Sequence, residues 1–361
     1  MLDEELFKKF ASFLVTFYNH KARRKIEKAG YKISSVYKLP KTILTGFGFT
    51  NEEINSIYYD YKIIATEEIE KAEKSGIFII DTNNDNYPSL LKEIYDFPEF
   101  LYVKGDLSCL NIENKLAIVG SRNNNSYGRD VLNTIIPDLC RGGLITVSGM
   151  ANGIDSLVHK ITIKNGGKTI GVNAGGLLHL YPAGNSALFP QIEQNGCIIS
   201  EFPLDVIPRP FYFPIRNRII SGISKAVLVV QATIKSGSLI TARVALEQNR
   251  DVFTIPGHIY SPLSFGPNYL IKQGAKLIEN STDILEEFGI SLEKQKPVNI
   301  ILTKKEKSLL DLIGDSGVKS VDYFVEKSVF NVPEVISILM GLVLKGVLIE
   351  MEQGYRKVID G

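Results

Sequence analysis

The chain has 361 residues, a length that accommodates roughly two or three domains. Hydrophobic residues make up 44% and charged residues 22%, the mix of a soluble globular protein, and no stretch approaches the ~20 apolar residues that span a bilayer. The acidic, amphipathic start MLDEELFKKF lacks the layout of a secretory signal, so we expect a cytoplasmic protein without membrane contact. The net charge of +1 means that attraction to a polyanion would have to come from local basic clusters. Three widely spaced cysteines and four scattered histidines predict neither a disulfide framework nor a metal site.

The first 80 residues are predicted to be helical, with Lys and Glu interspersed among apolar positions. The turn Gly46-Phe47-Gly48 faintly resembles a helix-hairpin-helix, which holds a phosphate on backbone amides, although an ordinary turn between helices is favoured. Residues 87–106 are typical of a connector with one strand at 101–103 that leads into the next domain.

The middle of the chain, residues 115–278, alternates short Val/Ile-rich runs with glycine-bearing loops and helical patterns, the signature of parallel βα units. Such strands are nearly continuously apolar because helices cover both faces of the sheet. The predicted strands are residues 116–119, 144–147, 169–172, 197–200, 226–230 and 252–255. We therefore predict a doubly wound, mostly parallel α/β sheet with its ligand at the carboxyl ends of the strands.

Three loops at those carboxyl ends carry small residues at helix starts. They supply backbone N–H groups where the helix dipole favours an anion. The residues are Gly120, Ser121 and Arg122 after the first strand, Ser148, Gly149, Gly153 and Asp155 after the second, and Ser236, Gly237 and Ser238 after the fifth. Together they predict a wide anion-binding edge.

Arg122 is the strongest candidate for a phosphate contact, because a planar guanidinium donates two parallel hydrogen bonds to a phosphate. The topology could bring other basic residues to the same edge, namely Lys168, Arg209, Arg216 and Arg218. Two positions apart on a helix, Arg216 and Arg218 point about 200° apart, so only one of them faces the ligand. The other would brace the loop or a carboxylate such as Glu201, and which arginine does which stays open.

Phe211, Tyr212 and Phe213 form an aromatic cluster next to these arginines. Aromatic rings beside a basic groove hold single strands by base stacking, worth about 1–3 kcal/mol per base. Phe213 is the preferred stacking candidate; the alternative is that the rings plug the end of the sheet.

Asp155 and His159 lie four apart on one helical face. An acid–base pair is less favoured there than Asp155 as a helix N-cap and His159 as a partly buried helix residue.

The C-terminal part begins after Gly289, where the polar, proline-bearing sequence SLEKQKPVN predicts a linker. Capping signals at Thr303, Ser320 and Asn331 predict three helices, and a strand-like tail around Gln353-Gly354 completes a winged-helix pattern. The third helix, PEVISILMGLVLK, offers only Glu, Ser and Lys as polar groups. Protein contact or simple packing is therefore favoured over reading of duplex DNA.

Seven motifs appear in the order and at the spacing of the DNA-processing protein A family, DprA, also called Smf. They are VGSRNNNSYG, SGMANGID, YPAGN, SEFP, FPIRNRIISGIS, SGSLITARVALEQNRDVFTIPG and SFGPNYLIKQGAKL. The connector NYPSLLKEIYDFPEFLYVKGDL and both ends of the chain also resemble that family, so the resemblance covers nearly the whole sequence.

The resemblance implies a protein that binds incoming single-stranded DNA without sequence preference during natural transformation, protects it and loads the recombinase RecA. It further implies no enzymatic activity, no cofactor, a homodimer, and a Rossmann-like sheet extended by flanking strands. With the motif positions added to the candidates above, the predicted DNA-binding residues are Gly120, Ser121, Arg122, Ser148, Gly149, Gly153, Lys168, Asn185, Arg209, Phe213, Arg216, Asn217, Arg218, Ser236, Gly237 and Ser238. No residue is predicted to be catalytic or to bind a metal.

Two enzymatic alternatives each lack a residue or motif that their chemistry requires. A nucleotide phosphoribohydrolase on a related sheet is the nearest, but Val244 stands where its catalytic carboxylate would be. A dinucleotide-dependent oxidoreductase is disfavoured because the loop after the first strand lacks Gly-x-Gly-x-x-Gly. Two acidic positions of the family pattern are also lost, one in GLLHLYP and one at Gln231, which further weakens a catalytic role. An adaptor role through the apolar third helix stays open.

The predicted domain organisation has four segments. They are a helical N-terminal domain, like a SAM or helix-hairpin-helix domain, at 1–80, an extended Rossmann-like DNA-binding domain at 81–288, a linker at 289–299, and a winged-helix-like domain at 300–361.

Overall fold

The structure is a computed structural model that describes residues 4–292, 302–313, 317–351 and 353–357. By its internal contacts the chain divides into two compact units, Met1–Ile290 and Ser291–Gly361. Most of the predicted linker, residues 293–299, lies outside the described residues. The predicted boundaries at residues 80, 288 and 299 stay predictions.

A nine-stranded sheet forms the centre of the first unit, in the order β1-β2-β6-β5-β4-β3-β7-β8-β9. The strands are β1 (Ile77–Asp81), β2 (Phe100–Gly105), β3 (Lys115–Val119), β4 (Ile145–Ser148), β5 (Thr169–Val172), β6 (Gly196–Ser200), β7 (Ala226–Val229), β8 (Asp251–Thr254) and β9 (Lys276–Leu277). From β6 to β9 all neighbours are parallel, whereas β2 pairs antiparallel with both β6 and β1. The predicted mostly parallel α/β sheet is confirmed.

Helices cover the sheet and precede it. They are α1 (Glu4–Tyr18), α2 (His20–Lys28), α3 (Lys41–Phe47), α4 (Asn51–Tyr58), α5 (Tyr61–Lys74), α6 (Ser89–Lys92), α7 (Ser126–Arg141), α8 (Ile154–Lys164), α9 (Phe189–Gln194), α10 (Tyr212–Gly222), α11 (Gly237–Glu247), α12 (Phe265–Lys272) and α13 (Ser281–Glu287). The helical N-terminal region is confirmed, except that Ile77–Asp81 forms β1. This apolar run pairs with β2 along its whole length, and the pairing overrides the helical pattern before it.

The sheet has an apolar core on each face, as its strand sequences require. Leu101 and Val103 of β2 belong to one core, while Phe100 and Tyr102 belong to the other, because successive side chains point to opposite faces. Helix α1 lies on the second face, where the ring centroids of Phe10 and Phe100 are 4.8 Å apart. The N-terminal helices are therefore packed on the sheet.

The turn at Gly46-Phe47-Gly48 joins α3 to α4. Gly48 ends α3 in the left-handed conformation, with φ +97°, and its N–H donates to the carbonyls of Leu44 and Thr45. Lys25 Nζ lies 3.2 Å from the carbonyl oxygen of Gly46. These contacts describe an ordinary helix C-cap, the favoured interpretation.

The second unit contains α14 (Lys304–Asp311), α15 (Val321–Lys327), α16 (Val332–Leu344) and an antiparallel hairpin of β10 (Leu348–Met351) and β11 (Gly354–Lys357). Thr303 begins α14 with the predicted capping box, Ser320 caps α15, and Asn331 begins α16 as predicted, with a capping box to Glu334. Leu309, Phe324 and Leu339 are fully buried in its small core. The order of three helices and a hairpin agrees with the predicted pattern, and the winged-helix assignment stays a prediction.

The helices of the described residues differ from membrane-spanning helices in length and composition. No single helix there is both long and apolar enough to cross a bilayer. One pair, α15 with α16, meets the criteria of length and composition only when the two are joined across a 118° bend.

Candidate nucleic-acid interface

A pocket of about 530 Å³ lies at the carboxyl ends of β3 and β7, the edge where the sequence predicts a ligand. Its walls come from the β3–α7 loop, the start of α8, the start of α10 and the start of α11. Nine predicted residues line it, namely Gly120, Ser121, Arg122, Phe213, Arg216, Asn217, Ser236, Gly237 and Ser238. The structure thus brings together residues that are more than 100 positions apart in sequence.

The first wall, the β3–α7 loop, is fixed by Gln231. The Ser121 N–H donates to the Gln231 carbonyl oxygen at 2.7 Å, and Gln231 Nε2 donates to Asn125 Oδ1 at 2.7 Å. Asn125 in turn caps α7. The amide at position 231 therefore has a structural role beside the pocket, because an amide can donate to Asn125 and a carboxylate cannot.

The second wall depends on Gly153. Its φ of +82° lies in the left-handed region, and a Cβ there would stand 2.3 Å from the Ser121 carbonyl oxygen and 2.5 Å from that of Arg122. Only glycine allows this approach of the two loops without displacing backbone. The close packing positions the first turn of α8 against the loop that carries Arg122.

Two arginines lie near the Phe213 ring, which lines the pocket. The guanidinium carbon of Arg122 lies 5.4 Å from the ring centroid, and that of Arg216 lies 5.8 Å from it. Both distances fall within the range of cation–π attraction. Tyr181 meets the same ring edge-on, with centroids 5.6 Å apart. Arg122 and Phe213 are exposed and half-buried, respectively, so both can reach a ligand.

Arg216 forms the floor of the pocket and is 97% buried. Its Nη1 donates to the carbonyl oxygens of Gly149 and Val172, and its Nε donates to Asn217 Oδ1 at 3.1 Å. A Cβ at Gly149 would lie 2.6 Å from the guanidinium nitrogens, so glycine there makes room for the arginine. Burial lowers the pKa of Arg216 to about 10, and the group stays charged at neutral pH.

Asp155 lies on the same pocket wall and is buried. Burial raises its pKa to about 6, against the Arg216 charge and backbone hydrogen bonds from Ala151 and Gly149, which lower it. The predicted N-cap role is wrong, because Gly153 caps α8 and Asp155 lies inside its first turn. The pocket therefore combines two arginines with one carboxyl group.

His159 is fully buried, not partly buried as predicted. Its Nδ1 lies 2.7 Å from the Thr169 hydroxyl, and burial lowers its pKa to about 3. The ring is therefore neutral and bonded to β5. No acid–base pair with Asp155 is formed.

Arg218 turns away from the pocket, as expected for one of the two arginines. It pairs with the buried Glu201 carboxylate and, at 3.0 Å, with Asp96. Burial raises the pKa of Glu201, and the Arg218 charge opposes that shift. Arg216 is thus the arginine that faces the ligand site, and Arg218 braces the β6–α10 connection.

Several other predicted residues lie outside the pocket. Ser148 is buried, and its Oγ donates to the Ile118 carbonyl oxygen at 2.7 Å. Lys168 precedes β5, at the amino ends of the strands, and pairs with Asp106 at 2.7 Å. Its expected placement at the ligand edge is wrong, because that edge is formed by the opposite ends of the strands.

Asn185 and Arg209 lie on loops after β5 and β6. Asn185 Nδ2 donates to the Met150 carbonyl oxygen at 3.0 Å, which ties its loop to the turn after β4. Arg209 is exposed on the segment that leads to α10. Neither lines the pocket, although both lie on loops at the same edge of the sheet.

Sequence reasoning missed some polar residues of the pocket. Asn123 continues the loop that carries Arg122, Thr233 lies after β7, and Thr241 follows Ser238 by one turn of α11. Thr241 is three residues after Ser238, so the helical spacing could have predicted that both lie on the same face of α11. Thr233 offered no signal beyond its position after a strand.

The sequence of the sheet-bearing part of the chain matches a known family. Residues 78–289 match the family described as DNA recombination-mediator protein A. The chain belongs to this family. A curated relative, the DNA processing protein DprA of Bacillus subtilis, is 47% identical over 214 residues, which are 59% of this chain and 72% of the relative.

Two solved DprA structures are similar as well. The Streptococcus pneumoniae protein aligns with a TM-score of 0.62 and 33% identity, covering 81% of this chain and all of that one. The Helicobacter pylori protein aligns with a TM-score of 0.54 and 30% identity, covering 59% of this chain and 95% of that one. The work on the latter describes a single-stranded DNA binding mode of that protein.

Proposed function

We propose that the pocket binds single-stranded DNA without sequence preference. The observation that carries this proposal is the half-buried Phe213 ring, whose centroid lies 5.4 Å from the guanidinium carbon of Arg122 and 5.8 Å from that of Arg216. An aromatic face accepts any base by stacking, while guanidinium groups attract the phosphates on either side. This combination favours an unpaired strand, because the bases of a duplex are not free to stack on protein.

The roles of the two arginines differ in this proposal. Arg122 is exposed and lies in the loop after β3, so it contacts phosphate directly. Arg216 is held by two carbonyl oxygens and contributes a fixed positive charge beneath the strand. The first turns of α8 and α11 add backbone N–H groups, which favour anions. We assign the pocket a binding role and no catalytic one.

Salt dependence of binding tests the proposal. The affinity for a labelled oligothymidine should fall with salt at a log–log slope of about −0.7 per phosphate contacted, and Arg122→Ala should reduce the slope by somewhat less than one. Arg141→Ala is the matched control, since Arg141 ends α7 at the other end of the strands and pairs with Asp138. Affinity that does not respond to salt, or tighter binding of duplex, would contradict the proposal.

The wider role that we propose is protection of incoming DNA during transformation and loading of RecA recombinase onto it, by a homodimer in the cytoplasm. Membership of the DNA recombination-mediator family supports this role. In a strand-exchange assay with a competing single-strand-binding protein, addition of this protein should shorten the lag before RecA-dependent product appears. An unchanged lag at saturating protein would contradict RecA loading and leave DNA binding intact.

A further inference from the structure

The two edges of the sheet in the first unit differ in how they are protected. The β9 edge has two residues, one of which is Lys276. The β1 edge has five residues, IFIID, with neither lysine nor proline. Edge strands expose unpaired backbone N–H and C=O groups, and proteins protect them by shortness, charge or proline. Apart from Asp81 at its end, the β1 edge carries none of these protections.

The outer side of β1 has no paired strand in the part of the chain that the structure describes. Its partner in the sheet is β2, and no strand follows on the other side. Phe78, in the middle of β1, is 51% exposed. An unprotected apolar edge of this kind is a template for another strand.

An apolar pocket lies directly beside β1. It has a volume of about 300 Å³ and is enclosed by α1, α5 and β1. Its apolar walls include Leu6 and Phe7 from α1, Ile69 from α5, and Ile77 and Ile79 from β1. The volume is sufficient for one or two apolar side chains, and the pocket opens next to the strand edge.

The charge of this pocket selects the chemistry of an occupant. Glu73 at the end of α5 and Asp81 at the end of β1 line it, and the described lining contains no basic residue. Asp81 and the apolar Ile77 and Ile79 lie at alternate positions of β1 and so share one face of the sheet. An extended segment along β1 would meet apolar and acidic groups on that face.

We propose that β1 and this pocket bind an extended peptide segment of a partner protein, which adds to the sheet as a further strand. The segment places an apolar side chain in the pocket and a Lys or Arg beside Glu73 and Asp81. Main-chain hydrogen bonds to β1 supply affinity, and alternate side chains supply specificity. This surface shares no residue with the DNA pocket, so it is a separate function of the fold.

The test measures binding of a fluorescein-labelled peptide, Lys-Val-Lys-Val-Lys-Val, to the full chain by fluorescence anisotropy. Two control peptides have the same length: one with Glu in place of Lys, and one N-methylated at alternate residues, which removes strand hydrogen bonds. We expect both controls to bind about tenfold more weakly or worse. Amide hydrogen exchange of residues 77–81 should slow when the first peptide is bound.

Charge reversal on the protein gives the matched variants. Glu73→Lys should weaken binding of the basic peptide by about five- to thirtyfold. Glu247→Lys makes the same change at the exposed end of α11, beside β7 and β8 and far from β1 in the strand order, and should leave the affinity within about twofold. Circular dichroism melts establish that both variants are folded.

Four results would overturn the proposal. Three of them are absence of binding at millimolar peptide, equal binding of the N-methylated peptide, and equal loss in the two variants. A fourth is concentration-dependent protection of residues 77–81 without peptide, since it would identify a second copy of the chain as the occupant of the β1 edge.

Discussion

At the scale of single residues, Asp155 determines how DNA binding should respond to pH. Its carboxyl group faces the pocket with Arg216 and Arg122, and burial raises its pKa to about 6. His159, one turn further along α8, is neutral and bonded to Thr169. A phosphate in the pocket adds negative charge and therefore favours protonation of Asp155.

The sign of the effect follows by linkage. Because DNA binding promotes proton uptake, affinity should rise as pH falls from 7.5 to 5.5, by at most about tenfold per pH unit for one proton. Asp155→Asn removes the titrating group and should flatten this dependence. Anisotropy titrations at constant ionic strength measure it, and an equal pH response in wild type and variant would exclude Asp155 as the source.

The same carboxyl group also affects folding. Its pKa in the folded protein lies above the unfolded value of about 3.8. Protonation therefore favours the folded state as pH falls from about 6 toward 4, and the ionised form destabilises it above that window.

At the scale of elements, the pocket depends on two loops that approach through Gly153. Gly153→Ala should destabilise the protein by about 2–3 kcal/mol, because φ stays positive and the new Cβ collides with two carbonyl oxygens. Gly184→Ala is the control, since no heavy atom lies within 4 Å of its Cβ position and its φ is not positive. Urea denaturation compares the two. Equal midpoints would contradict this account of the loop contact.

The strands show how much of the fold could be predicted from sequence. Residues 169–172 were predicted as a strand and form β5, because a continuous apolar run between glycine-bearing loops leaves few alternatives. The strand β1 was missed, since IFIID follows a helical pattern and is fixed by pairing with a distant segment, β2. Non-local pairing of this kind leaves little local signal.

The sequence predicts which residues reach the candidate site when their position after a strand determines it. It does not predict this when the direction of a side chain determines it. Arg122 and Ser236 follow parallel strands, so they meet at one edge. Arg216 and not Arg218 lines the pocket because Arg218 pairs with Glu201 and Asp96. Both carboxylates are distant from Arg218 in sequence, so the sequence alone does not reveal these pairs. Lys168 directly precedes β5, and chain order alone places it at the opposite edge.

At the scale of the whole molecule, the DNA pocket lies entirely within the unit Met1–Ile290. The other unit has a core of its own, and its helix α16 exposes Ile336, Met340 and Leu344. Apolar side chains of this kind do not attract phosphates, whereas affinity for single strands comes from basic groups and stacking. All the contacts proposed for DNA lie in the first unit, so we expect that unit to carry the DNA affinity.

A chain that ends at residue 290 tests this assignment. It should bind an oligothymidine within about twofold of the full chain and with the same salt slope, because the slope counts phosphates contacted and all the proposed contacts are retained. Arg122→Ala in the shortened chain should cause the same loss as in the full chain, which shows that the same pocket is measured. A loss above about tenfold with an unchanged melting transition would instead place phosphate contacts in residues 291–361.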